Sequence, residues 1–202
     1  LGFGVLFGID RLLIPAHLLT KGRCVGDFKI IFDRNDRQIC YTRQYKASDI
    51  LEKNIDYDFC ILQLAPNGST LPGHEFSIPS LALNHSGGEF LLAHVDSDGL
   101  STCSIGQPCL GQHQDAFFCS YSGSVPGSSG GGYFNPDGSL FALHLSRSTG
   151  ECTVNTEERR AILLHEIMKH SRLISLPICR PLCPRPTPVV CVPQITLNEV
   201  CY

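Results

Sequence analysis

The sequence lacks an excess of charge of one sign and a long apolar run, and each absence excludes a class of protein. Its 16 Lys and Arg residues face 19 Asp and Glu residues, for a formal charge of −3, with no long run of either sign. Nucleic-acid-binding modules usually present a basic surface, so direct nucleic-acid binding is not expected. No apolar stretch approaches the roughly 20 residues that cross a bilayer, so no membrane partner is expected either.

The N-terminus lacks the basic segment and the small-residue cleavage site of a signal peptide. Because it begins at Leu1 rather than Met, we expect the chain to be part of a longer protein. The 11 cysteines are a high and odd number, which fits a disulfide framework outside the cell and free or metal-bound thiols inside it. The count alone leaves both interpretations open.

Glycine and proline are abundant, at 19 and 13 residues, and are scattered among short apolar runs. This pattern is typical of many strands joined by tight turns and predicts an all-β protein. Residues 1–72 predict a first β-barrel and residues 89–155 a second one, since both contain short runs rich in β-branched and aromatic residues. A Pro- and Gly-rich connector, 73–88, separates the two halves.

The chain is predicted to end in one helix and an irregular tail. Polar and acidic residues from Thr156 precede apolar residues at helical spacing, including Ile162 and Ile167, which predicts a helix over 156–172. Residues 173–202 contain six prolines and four cysteines. Proline at this density interrupts regular structure, so we expect an irregular Pro/Cys-rich tail.

The clearest chemical signal is the segment Pro-Gly-Ser-Ser-Gly-Gly-Gly at 126–132. A serine nucleophile in acyl transfer needs its own backbone N–H and that of a neighbour directed at the developing oxyanion, and Gly127 can supply the second N–H for Ser129. The glycines after Ser129 allow a sharp turn back into a strand. Taken alone, the segment is more often a flexible Gly-Ser turn.

Two upstream residues change that interpretation. His17 ends the apolar run 12–16, and Asp58 begins the apolar run 59–64. Alone, each is more often a structural residue, but the order His, Asp, Ser along the chain is that of the chymotrypsin class of hydrolases. Asp56 competes with Asp58 because residues two apart on a strand share a face. We favour Asp58, since the apolar strand starts directly after it.

The segments 13–17, 58–64, 127–131 and 138–144 resemble the trypsin-like serine protease superfamily over residues 1–172. A narrower resemblance rests on 58–64 with Asn67-Gly68 and Pro72, the strand 140–144, and the helix through Ile162 and Ile167. These features are similar to the nuclear proteases called family with sequence similarity 111, which are linked to clearing proteins trapped on DNA.

The resemblance implies two antiparallel, six-stranded Greek-key barrels packed face to face, with the active site between them. It implies Ser129 as nucleophile, His17 as base and then acid, and Asp58 as the residue that orients His17. The N–H groups of Gly127 and Ser129 form the oxyanion hole, and no cofactor or metal is needed. The expected partners are protein substrates, including DNA-associated proteins, and further copies of the chain. The expected location is intracellular, in the nucleus.

The substrate-binding wall is expected at His144, Leu145 and Ser146. It carries no acid that could pair with Arg or Lys, so cleavage after basic residues is not expected. The nuclear relatives imply an aromatic or large apolar residue at P1, the residue whose carbonyl is attacked.

The sequence departs from secreted members of the superfamily at four places. Leu18 replaces the Cys that follows the active-site His, which favours a reducing compartment. Ser128 replaces the Asp that receives a new N-terminus, so activation by N-terminal cleavage is not expected. Gly132 stands where Pro is usual. Only 16 residues precede His17, so at least one strand of the first barrel is expected to be missing or to lie outside this chain.

Several other enzyme classes fit less well. The Gly-x-Ser-x-Gly pattern of α/β-hydrolases needs a following helix and a later acid and histidine. His165 and His170 are five residues apart, whereas zinc ligands on one helix face are four apart, so a solvated helix face is the better interpretation. Cys179, Cys183 and Cys191 lack the spacing of a known zinc finger. The other seven cysteines are expected to be small core residues or free thiols.

Two further alternatives keep the protease fold. An inactive relative could retain the barrels as a protein-binding module, although the presence of all three candidate residues argues against it. A picornavirus-like processing protease would use His144 to bind a glutamine side chain, but the nucleophile of those enzymes is usually Cys.

Overall fold

The computed structural model describes residues 2–19, 28–34, 37–41, 47–66, 69–95, 101–109, 116–147, 158–174 and 194–197. Its strands are β1 (Gly2–Phe3), β2 (Val5–Phe7), β3 (Arg11–Ile14), β4 (Phe28–Arg34), β5 (Arg37–Tyr41), β6 (Ile50–Asn54), β7 (Phe59–Gln63), β8 (Phe90–Val95), β9 (Ser101–Pro108), β10 (Phe117–Tyr121), β11 (Gly132–Phe134), β12 (Leu140–Arg147), β13 (Glu158–Leu163) and β14 (Gln194–Leu197). The helices are two 3₁₀ turns, Ala16–Leu19 and Ala47–Asp49, and α1 (Pro72–Glu75) and α2 (Leu164–His170).

The second half forms a closed antiparallel barrel in the order β10-β13-β12-β11-β8-β9. Its interior is filled mainly by aromatic side chains on alternate positions of the strands: Phe90, Phe118, Tyr133 and Phe141. Their rings meet mostly edge to face, with centroids 4.9 to 6.0 Å apart. This geometry is favoured by the quadrupole of the aromatic ring.

The first half forms two four-stranded antiparallel sheets, β1-β14-β4-β5 and β2-β3-β7-β6. Only Gly4 separates β1 from β2, and an added Cβ there would lie 2.6 Å from Ile14. The all-β, antiparallel part of the prediction is confirmed. The six-stranded closure of the first barrel is not seen among the described residues, where β5 and β6 are edge strands.

Strands β3 and β7 are buried on both faces, which explains their uninterrupted apolar sequences. Leu12, Ile14, Cys60 and Leu62 point into the core of the first half. Leu13, Phe59 and Ile61 point the other way, into a core shared with Phe134, Leu143, Ile162 and other residues of the second half. The two halves therefore pack through a continuous apolar interface.

The predicted helix over 156–172 is wrong in its first part. Residues Glu158–Leu163 form β13, and only Leu164–His170 are helical. Helical spacing of apolar residues is a local signal, and here it loses to pairing with β10 and β12 on both sides of β13. Residues 156 and 157 lie outside the described residues. None of the helices in the described ranges is long and apolar enough to cross a membrane.

The irregular tail also needs a correction. Residues Gln194–Leu197 form β14, which pairs antiparallel with β1 and with β4. This strand follows the last proline of the tail, and its β-branched Ile195 and Thr196 suit a strand once partners are available. The rest of the predicted tail, at 175–193 and 198–202, lies outside the described residues.

Candidate active site

His17 and Asp58 lie at neighbouring strand ends. Strand β3 ends at Ile14, and the following 3₁₀ turn carries His17; Asp58 occupies the turn directly before β7. Because β3 pairs with β7 and Ile14 faces Cys60, these two ends are adjacent. Asp58 Oδ2 is 2.6 Å from His17 Nδ1, and Asp58 Oδ1 accepts a 2.8 Å hydrogen bond from the His17 backbone N–H.

The backbone of Asp58 adopts a left-handed conformation, with φ of 53°, which is uncommon for a residue other than glycine. Its carbonyl accepts a 3.1 Å hydrogen bond from the Ala16 N–H, so backbone and side chain both hold it against the His17 turn. Such conformations persist where the surroundings fix them, often at functional sites. Asp56 lines the same crevice, but the carboxylate that contacts His17 is that of Asp58.

Ser129 lies in a tight turn between β10 and β11. Gly127 and Gly130 have φ values of 99° and 91°, which side chains rarely allow, and an added Cβ on Gly130 would overlap the Phe3 carbonyl. Phe3 N–H donates to the Ser129 carbonyl at 2.6 Å, and Gly130 N–H donates to the His144 carbonyl at 2.7 Å. The turn is therefore fixed between β1 and β12.

The Ser129 hydroxyl donates a 2.9 Å hydrogen bond to the Leu145 carbonyl. Leu145 lines a crevice of about 290 Å³ together with His17 and Asp58, so the Ser129 hydroxyl is bonded to a residue of the crevice that contains this pair. A hydroxyl has a single hydrogen. Ser129 must therefore rotate away from Leu145 before it can donate to His17.

The two candidate oxyanion donors belong to this turn. Among the described residues, no backbone or side-chain acceptor engages the N–H of Gly127 or Ser129. Ser128 has a different environment: it is 1% exposed, and its hydroxyl accepts a 3.2 Å hydrogen bond from the Val125 N–H. Ser128 therefore stabilises the turn through a buried hydrogen bond.

Solved structures with a similar fold include HtrA-type and other serine proteases. The Rv3671c protease from M. tuberculosis in its active form is 12% identical, with a TM-score of 0.56, over 82% of this chain and 70% of that chain. The HtrA-type protease AlgW with a tripeptide is 16% identical, with a TM-score of 0.57, over 83% and 52%. Deg5 is 15% identical, with a TM-score of 0.59, over 83% and 80%.

The chain has the fold of trypsin-like serine proteases. At these identities the likeness shows the fold alone. No family model and no curated protein matches the sequence, so the narrower resemblance to the family with sequence similarity 111 rests on sequence motifs only.

The predicted substrate-binding wall, residues 144–146, lies in the C-terminal half of β12. His144 is 3% exposed, and its Nδ1 is 2.9 Å from the hydroxyl of Tyr133, which in turn is 3.3 Å from the Ser120 hydroxyl. Burial, reinforced by the nearby charge of Arg159, lowers the pKa of His144 to about 3. His144 is therefore a neutral imidazole near pH 7. The side chain of Ser146 lies outside the described residues; its backbone pairs with Arg160.

Acidification is expected to destabilise the fold through His144. Its pKa falls from 6.5 to about 3 on folding, so the unfolded chain takes up the proton first as the pH drops. Stability is then lost between about pH 6.5 and pH 3, by at most about 1.4 kcal/mol per pH unit from this group. Urea unfolding at several pH values should show a shallower loss for His144→Gln than for the wild type. Equal slopes in the two proteins would contradict this origin.

Two buried polar residues, Ser124 and Arg159, could not be recognised from the sequence. Arg159, 6% exposed, donates from Nε to the Ser124 hydroxyl at 2.7 Å and from Nη2 to the Ser124 carbonyl at 3.1 Å. Arg159 was not recognised because its segment was predicted to be helical, whereas the structure shows a strand there. Strand β13 instead turns it to one face of the sheet and turns Arg160 to the other, where its guanidinium lies 3.5 Å from the centre of the Phe117 ring.

The described residues contain no group of three His, Cys, Asp or Glu side chains placed to hold a metal ion. On α2, Glu166 lies 3.1 Å from His165, 2.7 Å from Lys169 and 3.6 Å from His170. On the helix face predicted to be solvated, Lys169 and His170 are exposed, and Lys169 forms an ion pair with the largely buried carboxylate of Glu166. Cys179, Cys183 and Cys191 lie outside the described residues. Cys60 is a buried core residue, and burial raises the pKa of its thiol to about 12.

Proposed function

We propose that this chain is a serine endopeptidase that hydrolyses peptide bonds in protein substrates through Ser129, His17 and Asp58. The observation that carries the proposal is the 2.6 Å contact between Asp58 and His17 Nδ1, in a crevice that is also lined by Leu145, whose carbonyl accepts from the Ser129 hydroxyl. A carboxylate on Nδ1 keeps the proton on that nitrogen, so Nε2 remains able to take the proton of a serine hydroxyl.

The reaction follows from these positions. Ser129 Oγ bonds to the substrate carbonyl carbon while its proton passes to His17 Nε2, and the carbonyl oxygen becomes an oxyanion. The N–H groups of Gly127 and Ser129 stabilise that charge. His17 then gives the proton to the leaving amine as the C–N bond breaks, which leaves an acyl ester on Ser129. Water, deprotonated by His17, hydrolyses the ester and restores the enzyme.

Activation in this proposal does not use a new N-terminus. Ser128 occupies the position where such an ion pair would form, and its hydroxyl already braces the turn through Val125. The step left to control is the rotation of Ser129 from Leu145 towards His17. Substrate, partners or self-association can bias that rotation if they bind one state more tightly than the other.

The hydrogen bond from the Ser129 hydroxyl to the Leu145 carbonyl favours a second candidate function. In this alternative the chain is an inactive protease-fold module that binds proteins. A Ser129 hydroxyl held permanently on the Leu145 carbonyl would keep its hydrogen away from His17 and could not attack. In that case the crevice would bind polypeptide without cleaving it.

A fluorophosphonate probe distinguishes the two candidates, because it reacts with an activated serine and needs no particular substrate side chain. We expect labelling of the folded protein at Ser129, located by peptide mass spectrometry, and none after heat unfolding. A folded protein that stays unlabelled and cleaves no unfolded casein would favour the binding module.

The resemblance to the family with sequence similarity 111 supports a finer form of the proposal. In that form the substrates are DNA-associated proteins and the enzyme acts in the nucleus. The support comes from the motifs at 58–64 and 140–144 and from Leu18, which removes the cysteine typical of secreted members.

A further inference from the structure

Arg160 lines the crevice that contains His17 and Asp58, although it comes from the second half of the chain. Along β13, Ile162 belongs to the core shared by the two halves, whereas Ala161 belongs to the interior of the second barrel. Successive side chains of a strand point to opposite faces, so Arg160 shares the face of Ile162. Strand β13 therefore brings a positive charge to the edge of the candidate active site.

The guanidinium of Arg160 is held in place but has an unused donor. Its central carbon lies 3.5 Å from the centre of the Phe117 ring, which also lines the crevice. Stacking on an aromatic ring orients a guanidinium and leaves its N–H groups at the edge of the guanidinium plane. The Nε of Arg160 is buried and has no acceptor among the described residues. Buried donors normally have a partner, which points to an acceptor that arrives with a ligand.

Two carboxylates also line the crevice, those of Asp56 and Asp58. Both oxygens of Asp58 are engaged by His17, one by the imidazole and one by the backbone N–H. Asp56 is exposed, so water and salt screen its charge. In the described part of the chain, neither carboxylate forms an ion pair with Arg160. A half-buried cation without a carboxylate partner favours an anionic ligand.

The free edge of β12 offers a path for a substrate chain along this crevice. Strand β11 pairs with β12 as far as Leu143, and no described strand pairs with residues 145–147 on that side. The Leu145 carbonyl points to the same side, because it accepts from the Ser129 hydroxyl. An extended substrate can pair with such an edge, and its side chains then alternate between two faces. With P1 against His144, as the sequence resemblance implies, the side chains of P2 and P4 face the crevice.

We propose that Arg160 selects substrates with glutamate or aspartate at P2 or P4, the second and fourth residues before the cleaved bond, through an ionic hydrogen bond in the crevice beside His17. The inference rests on the proposed protease function and names the substrate class of the same site. A carboxylate accepts from two N–H groups of a guanidinium at once and carries the opposite charge. An amide has one acceptor oxygen and no charge, and a lysine at these positions would be repelled.

The first test is a series of peptides that share phenylalanine at P1 and differ only at P2 or only at P4, with Glu, Gln, Leu or Lys. We expect kcat/KM for Glu to exceed that for Gln by about 10-fold at one or both positions, as a hydrogen bond to a charged group predicts. The preference should weaken as NaCl is raised, because salt screens a half-buried charge pair. Equal values for Glu and Gln at both positions, or a preference for Leu or Lys, would overturn the proposal.

The same exchange of Glu for Gln at P3 is the control on the peptide. The P3 side chain points away from the crevice, so kcat/KM for the two peptides should be nearly equal. A Glu preference of the same size at P3 would indicate attraction by the whole protein rather than by Arg160, and would also overturn the proposal.

Variants of Arg160 separate its charge from its packing. Arg160→Met should remove the Glu-over-Gln preference, because methionine can still contact Phe117 but carries no charge. Arg160→Lys should keep part of the preference. Arg172→Met is the matched control, since Arg172 is exposed and does not line the crevice; it should keep the full preference. Thermal melting checks that each variant is folded, and if Arg160→Met does not fold, Arg160→Lys and the wild-type series still decide. A preference that survives in folded Arg160→Met would overturn the assignment.

Binding measurements distinguish a failure of this proposal from a failure of the proposed function. Fluorescence anisotropy of the same peptides on Ser129→Ala measures selection without turnover. Preferential binding of the Glu peptides, combined with a wild-type protein that a fluorophosphonate does not label, would uphold the subsite and reject the protease. Labelling of the wild type without any Glu preference at P2 or P4 would uphold the protease and reject the subsite.

Discussion

Ser129→Ala is expected to lower kcat for peptide hydrolysis by about a million-fold, the loss typical of removing a triad serine. Ser129 lies two residues after Gly127, its hydroxyl donates to the carbonyl of Leu145, which lines the crevice, and its own carbonyl accepts from the Phe3 N–H. The alanine variant keeps that backbone bond, so it should fold like the wild type. Initial rates on one peptide, with enzyme raised to micromolar concentration for the variant, measure the effect.

Ser128→Ala is the matched control. Its hydroxyl is buried in the turn and accepts from the Val125 N–H, so the variant loses one hydrogen bond of about 1 kcal/mol and no group in the crevice. Its kcat should fall by less than about tenfold. Comparable losses in the two variants would show that the turn, rather than the Ser129 hydroxyl, is what the reaction needs.

The triad candidates could be predicted from the sequence because each has a recognisable pattern in the residues next to it. Glycines surround Ser129, and apolar runs end at His17 and begin after Asp58. The strands were visible for a related reason: β3 and β7 are buried on both faces, so their sequences are uninterrupted apolar runs. The sequence could not show that Asp58 and His17 lie next to each other in the fold. Only the pairing of β3 with β7 shows that Asp58 and His17 meet at 2.6 Å.

The features that were missed depend on contacts between distant parts of the chain. Strand β13 has locally helical spacing and becomes a strand because β10 and β12 flank it, and Arg159 was missed with it. Strand β14 follows a proline-rich stretch and exists through pairing with β1 and β4. The same holds for the bond between His144 and the Tyr133 hydroxyl, which joins two neighbouring strands of the barrel. No local sequence pattern predicts which distant residues or strands will be partners.

Asp58→Asn is expected to lower kcat by about ten thousand-fold, for a reason that the hydrogen bonds make specific. Asp58 accepts from the His17 backbone N–H through Oδ1 and holds Nδ1 through Oδ2. In the variant the amide oxygen can keep the bond to the backbone N–H, which turns the NH₂ group towards Nδ1. Nδ1 must then accept, so the imidazole proton moves to Nε2, the nitrogen that has to receive the proton of Ser129.

Asp58→Asn changes the tautomer of the His17 imidazole without disturbing the fold. Asp58 has a φ of 53°, and Asn tolerates the left-handed region as well as Asp does, whereas Ala would add backbone strain. Melting temperatures of Asp58→Asn and wild type should therefore be similar, while kcat differs greatly. Asp56→Asn is the control, because Asp56 lines the same crevice and was the competing candidate; its kcat should fall by less than about tenfold. A large loss at Asp56 with little at Asp58 would transfer the orienting role to Asp56, and little loss at either would mean that His17 is held without a carboxylate.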